Sequence, residues 1–399
     1  MSRWPSLVFP VFICLAAVAA VLLPHGLVPL CAAAGLALAT DARIRSRFFA
    51  LLRGPLAMGL GALLLWAGLS TLWSPSISGG LLLVVQVAGV MLAGALVVAA
   101  AECLDADSRD RALVALCFFG PIFLVLVLSE LLNNGVIAQA LHGSRAVHNG
   151  HFNEVLYDRT AAIGAILAWP AAYALWRRLG RLAAIFFLLL LVAALFELEM
   201  TAARLAFFIG GLAFLISFWK PRPVIRGLLI LLLAGILALP PVVIATGIAD
   251  RFPAIAEKLA ETNTSSKHRL FIAQFVLNKI AERPIVGHGF DASRNLPGGQ
   301  TPSVGGQPIL PLHPHDAILQ VWLELGAVGA LIAALVVALV LHAIDRLGPR
   351  REAAAVACAS FAAFFTMAVM SYGIWQNWWL MTAWIAATFI ALTAKLQPE

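Results

Sequence analysis

The chain has 399 residues, 62% of them hydrophobic and 12% charged, with a formal net charge of +7. This composition places it in the polytopic membrane class, as one membrane domain over residues 1–399 with no separate soluble one. It argues against a nucleic-acid partner, since the basic residues lie in short connections between apolar stretches, and against a disulfide framework or zinc site, since the five cysteines form no C-x-x-C pair.

Arg3 followed by Leu7–Leu23 has the outline of a signal peptide, but many spans follow, so an uncleaved first span is expected. Stretches long enough to cross a bilayer fall near 7–23, 26–40, 55–73, 80–101, 112–133, 160–176, 182–198, 202–219, 226–246, 317–343, 352–373 and 375–394. The fold class predicted is therefore an all-α polytopic membrane protein of about twelve transmembrane helices, the second short enough to be re-entrant. Basic residues gather in the connections holding Arg43, Arg45, Arg47 and Arg53; Arg177, Arg178 and Arg181; Lys220, Arg222 and Arg226; and Arg346, Arg350 and Arg351. With both termini cytoplasmic, all of these fall inside, and 74–79, 134–159 and 248–316 fall outside. Trp73, Trp375, Trp378 and Trp379 then sit at outer boundaries, as an aromatic belt.

The loop before the sixth span holds His142, Arg145, His148, Asn149, His151, Asn153 and Glu154, each read as a solvated loop residue. Arg159, after Tyr157-Asp158, stands at the outer end of that span as a candidate phosphate ligand. Arg204 opens the apolar run 205–218; a charge there must snorkel, pair or face a wet cavity, with Glu197 and Glu199 as the nearby pairing candidates. Its functional reading is a phosphate clamp at headgroup depth.

Residues 248–316 form the one long polar interval, inserted between the ninth and tenth spans. Within it 269–280 reads as an amphipathic helix, capped by Thr264, Ser265 or Ser266, which puts Arg269 at a helix N-terminus suited to phosphate. The Gly- and Pro-rich run 296–311 reads as loop. The strongest local signal is 313–329, HPHDAILQVWLELGAVG. Asp316 is a natural N-cap, and Asp316, Gln320 and Glu324 repeat every fourth residue, forming a polar stripe that starts beside His315. Such groups on a span should face the protein interior or a wet cavity, and a histidine against them suits general-base work. The His313-x-His315 spacing is compatible with a metal, but Pro314 constrains the backbone and no further cluster completes a shell, so no metal is expected.

Several of these motifs resemble the O-antigen ligase and polymerase superfamily of bacterial envelope glycosyltransferases. They are Trp66-Ala-Gly-Leu-Ser-Thr-Leu-Trp-Ser74, Thr201-x-x-Arg204, Arg269 followed by Pro284, Gly287 and Gly289, and His313, His315, Leu319, Gln320, Glu324, Gly326 and Gly329. The family pattern has asparagine after the second histidine; Asp316 here adds a negative charge, placed to raise the pKa of His315 or alter contact with the acceptor. The resemblance implies a GT-C-like membrane fold and a site at the periplasmic face of the bacterial inner membrane. It implies transfer of a glycan from undecaprenyl pyrophosphate to an acceptor hydroxyl, without cofactor. Arg204, Arg269 and Arg159 would stabilise the pyrophosphate, and His315 or His313 would act as base. A lipid A–core acceptor is favoured over a second glycan repeat or a protein serine; a lipid-linked-sugar flippase is the alternative from another class.

Overall fold

The computed structural model describes residues 4–143, 147–148, 151–152, 157–198, 200–259, 264–348 and 350–394. The first half of the described chain holds helices α1 Pro5–Leu22, α2 Leu27–Leu38, α3 Ala42–Leu52, α4 Pro55–Ser70, α5 Ile77–Cys103, α6 Ala106–Leu132, α7 Val136–His142 and α8 Asp158–Leu179. The second half holds α9 Arg181–Glu197, α10 Thr201–Trp219, α11 Pro221–Thr246, α12 Phe252–Glu257, α13 Thr264–Glu282, α14 Ala317–Asp345, α15 Arg351–Met370 and α16 Asn377–Thr393. A two-residue antiparallel pair, Val147–His148 with His151–Phe152, is the one regular sheet described.

All the predicted spans are helical, but eight described helices are long and apolar enough to cross a membrane: α1, α4 with its 3₁₀ extension to Trp73, α5, α6, α10, α11, α14 and α15. Of the remaining predicted spans, α2 has 12 residues and α9 and α16 have 17 each. Helix α8 is long, but it is the centre of the bundle: every residue from Thr160 to Leu175 is buried. Its run of alanines lets neighbouring backbones come close, the small-residue packing that membrane helices use without a hydrophobic driving force between them.

Proline-broken hydrogen bonds tie this bundle together. Pro240 has no N–H to give Ile236, and Trp322 Nε1 donates to that carbonyl instead at 2.7 Å. Pro170 likewise frees Ile166 O, which accepts from Ser360 Oγ at 3.1 Å.

The ends of the bundle differ. At one end Arg47 meets Glu102, Arg178 meets Asp110, and Tyr173 and Arg177 meet Glu352. Ile225 packs with Leu341 and Ile344 at the same end, so the basic connections cluster together, as the topology requires. Helix α3, expected as a plain connection, is amphipathic, with Ile44 buried and Phe49 exposed. The opposite end carries α12, α13 and the irregular run to Asp316.

The apolar interior falls into two main clusters, one around α1, α6, α8 and α15, the other around α4, α11, α13 and α14. Residues 371–376, between α15 and α16, lie at their seam: Trp375 belongs to the second cluster, Trp378 and Trp379 to the first. These three tryptophans are buried, not an interfacial belt. Trp375 and Trp378 meet Phe290 and Tyr372 edge to face, and Trp379 stacks on Phe364, geometries that aromatic pairs favour.

Candidate active site

Three of the quoted motifs, Trp66–Ser74, Pro284–Gly289 and His313–Gly329, converge on a break in α14. Gly326 has φ 65° and ψ −164°, so the helix cannot close its own hydrogen bonds there. The turn 284–289 substitutes for them. His288 N donates to Leu323 O at 2.8 Å and Gly289 N to Glu324 O at 2.9 Å, while Ala327 N donates to Pro284 O at 2.9 Å. Trp66 Nε1 takes Leu325 O at 2.9 Å. Phe290 N donates to Ser70 Oγ and Ser74 Oγ to Phe290 O, which seats the Trp66–Ser74 motif on the same turn.

On this frame Glu324, wholly buried, accepts from Ser293 Oγ, Asp291 N, Trp375 Nε1 and Gln320 Nε2. Gln320 Oε1 in turn accepts from Ile374 N at 2.9 Å. The polar stripe therefore faces the interior and pins 371–376 to α14; a buried carboxylate is tolerable because its oxygens are all bonded. Asp316 caps α14 as expected, accepting from Ile318 N at 2.8 Å and Leu319 N at 3.0 Å. Burial lifts its pKa to about 6 against those bonds.

The histidines sit just above. His315 Nδ1 lies 2.7 Å from Ser371 O. A carbonyl can only accept, so Nδ1 carries the proton and Nε2 keeps a free lone pair. His315 has φ 58°, a left-handed conformation costly for a side-chain-bearing residue and typical of functional sites. Burial, with the charge of Arg269 near it, holds its pKa down despite the Ser371 contact. Asp316 does not raise it, contrary to expectation: its carboxylate is turned to the helix N–H groups.

His313 packs 4.4 Å from the His315 ring, between the His315 N–H on Nδ1 and Gln376 Nε2 on Nε2. A neutral imidazole accepts at one nitrogen only, so His313 cannot satisfy both donors at once. Burial, then the charges of His315 and Arg294, push its pKa down to about 3 from 6.5. The folded state thus binds fewer protons than the unfolded chain between those values. Its contribution is whole above pH 6.5 and is lost as pH falls below it. Relative to His313→Gln, the wild type should lose on the order of 2 kcal/mol between pH 7.5 and pH 5. Parallel stability–pH curves for the two proteins would contradict this.

The arginines are placed unequally. Arg269 is half-buried, its charge reaches His315, and among the described residues it has no hydrogen-bonded or ion-paired partner. It is not at a helix N-terminus, however: α13 runs from Thr264, so Arg269 lies in its second turn with its own N–H inside the helix. Arg204 donates through Nε to Leu195 O at 3.0 Å and through Nη2 to Phe196 O at 2.9 Å. It caps the last carbonyls of α9, and neither glutamate beside it is its described partner; Glu199 lies outside the described residues. Its Nη1 remains free of those bonds. Arg159 lies over the Trp378 ring, 5.9 Å from its centroid. Arg145, Asn149, Asn153 and Glu154 fall outside the described residues, as do the side chains of His142, His148 and His151.

Sequence reading missed two features. One is Arg294, paired to Asp291 at 2.9 Å and close enough to influence His313. Its i, i+3 spacing from Asp291 was the available signal. The other is the whole segment 371–376, which contacts both histidines, Gln320 and Glu324.

Fold and site together define a polytopic helical membrane protein with its candidate site residues at one end of the bundle. Residues 186–334, the stretch holding Arg204, Arg269, both histidines and Glu324, match the family model described as O-Antigen ligase. A Rickettsia prowazekii protein named "Putative polysaccharide ligase RP358" is 35% identical over 242 residues, 59% of this chain and 58% of that one. "Putative polysaccharide ligase RC0486" of Rickettsia conorii is 32% identical over 268 residues, 66% of this chain and 62% of the relative. A Rickettsia bellii "Putative polysaccharide ligase" is 29% identical over 340 residues, 83% and 79% of the two chains. This chain thus spans somewhat under two thirds of the length of the first two relatives. Over residues 186–334 it is similar to the O-antigen ligase family, and over a longer stretch to these polysaccharide-ligase relatives.

Proposed function

We propose that this protein transfers a glycan from undecaprenyl pyrophosphate to an acceptor hydroxyl, with lipid A–core as the acceptor, at the periplasmic face of the bacterial inner membrane. The observation that carries the reading is a half-buried Arg269 with no hydrogen-bonded or ion-paired partner among the described residues, whose charge reaches an imidazole held by Ser371 O so that Nε2 keeps its lone pair. A desolvated cation without a partner is costly, and a diphosphate repays that cost. In this reading all the predicted spans cross the membrane, both termini are cytoplasmic, and the architecture is GT-C-like.

The acceptor oxygen attacks the anomeric carbon as the carbon–oxygen bond to the diphosphate breaks. The diphosphate leaves with the bonding electron pair, facing Arg269 and the free Nη1 of Arg204. The acceptor proton passes to His315 Nε2. A base with a lowered pKa is weak alone, but the incoming diphosphate charge raises it when the donor binds. His313 positions the backbone of His315 through Nδ1. No cofactor enters any step. A flippase would place such groups near the bilayer midplane on broken helices of repeated halves; here they gather at one end.

The test is reconstitution of the purified protein with lipid-linked glycan and, separately, lipid A–core, a second lipid-linked repeat, and a serine-bearing protein. Lipid A–core is expected to be glycosylated. Product with either other acceptor reassigns the acceptor, and product with none overturns the transfer reading.

A further inference from the structure

Arg159 lines a cavity that neither histidine, nor Arg204, nor Arg269 reaches. It has a volume of about 190 Å³ and is walled by residues 21–26, Ala138, Tyr157 and Arg159. The walls from Val21, Leu22, Leu23 and Ala138 are apolar; the residues with polar side-chain groups are Arg159, His25 and Tyr157, whose hydroxyl is taken by Glu130. Arg159 and His25 both line it, and burial, with the Arg159 charge, holds the His25 pKa down. Among the described residues the Arg159 guanidinium has the Trp378 ring beneath it and no hydrogen-bonded partner.

The cavity is built, not a gap between loose ends. Thr160 Oγ1 donates to Ala20 O and Val21 O, both at 3.1 Å, which locks the start of α8 to the end of α1. Glu130 is fully occupied: Ile137 N, Ala138 N and Tyr157 OH all donate to it, which holds α7 and Tyr157 in place. Asp158, next in the chain, shares the field of Arg159, but among the described residues it makes no ion pair with it.

We infer that this cavity binds a phosphate-headed anionic lipid, with the phosphate on Arg159 and His25 and the first carbons of a chain against Val21, Leu22 and Ala138. Three observations meet in that assignment. The lining is mostly apolar, which suits hydrocarbon. The one guanidinium is unpaired and planar, which suits a phosphate. The cavity lies at the end of α1, a helix long enough to span, where headgroups sit. Its volume is close to that of the roughly 150 Å³ engineered cavities that admit a benzene ring, so it takes a headgroup and chain root, not a whole lipid. The site holds its lipid whether or not the histidine pair transfers a glycan.

The test places the full chain in phosphatidylcholine nanodiscs doped either with phosphatidylglycerol or with undecaprenyl monophosphate, and counts retained anionic lipid by native mass spectrometry. Retention is expected in at least one arm, reduced tenfold or more by Arg159→Gln and by the cavity-filling Ala138→Trp, and unchanged for phosphatidylglycerol in Arg269→Gln. Retention in the phosphatidylglycerol arm identifies a resident membrane lipid; retention only in the other arm identifies the carrier lipid. Either result supports the site. Retention that survives both cavity variants, or that millimolar inorganic phosphate abolishes, overturns it, as does no preference over phosphatidylcholine.

Discussion

Replacing His315 by alanine should lower glycan transfer by about 10²–10⁴-fold, the range general-base catalysis supplies. The argument rests on proton placement. Ser371 O fixes the proton on Nδ1, so Nε2 is left as the proton acceptor, within reach of the Arg269 charge. Alanine at φ 58° also strains the backbone, so a loss of activity alone could reflect a distorted site. His315→Asn separates the two causes, because asparagine tolerates the left-handed conformation but cannot take a proton at neutral pH. Both variants should lose transfer, with the asparagine protein melting near the wild type. Near-wild-type turnover in His315→Asn would remove the base role. Arg269→Lys should also fall short, since an ammonium cannot offer the paired donors of a guanidinium.

Gly326→Ala should be severely destabilising, costing about 3 kcal/mol or more. Its backbone angles lie in a region essentially restricted to glycine, worth roughly 1–3 kcal/mol of strain for any other residue. A Cβ there would also overlap the carbonyl of Ile285. Relief would require withdrawing the 284–289 turn, and with it the replacement hydrogen bonds that close the break in α14. Detergent-solubilised Gly326→Ala should therefore melt well below the wild type and lose transfer with it. Gly329→Ala is no control, because Leu325 crowds that position too; Gly61→Ala, with open space around its Cβ, is. Equal melting of Gly326→Ala and Gly61→Ala would show that the turn does not depend on the glycine.

The helices and the start of α14 were legible because period, length and capping chemistry report them directly. Asp316 is a helix cap in sequence and in structure for the same reason: a short carboxylate before an apolar run. The coming together of distant motifs was legible as order but not as cause. Nothing in Pro284-x-x-Gly287-x-Gly289 alone says that it repairs a broken helix 35 to 43 residues later. Arg269 was misplaced because Thr264–His268 is polar enough to read as loop yet continues the helix. The tryptophans misled because an indole at a span end looks the same whether it faces lipid or core. Segment 371–376 was invisible for a deeper reason: much of what it contributes to the site is main-chain N–H and C=O, which every residue type possesses.

That last property has an experimental consequence. The atom that holds the His315 proton in place belongs to the peptide bond of Ser371, so exchanging the serine for another amino acid leaves it there. An alanine scan would report only the loss of the Ser371 hydroxyl, which bonds Tyr372, and would pass over the carbonyl that partners the candidate imidazole. Shifting the path of the chain, by crowding Gly373 against the His313 ring for example, is the genetic route to that carbonyl.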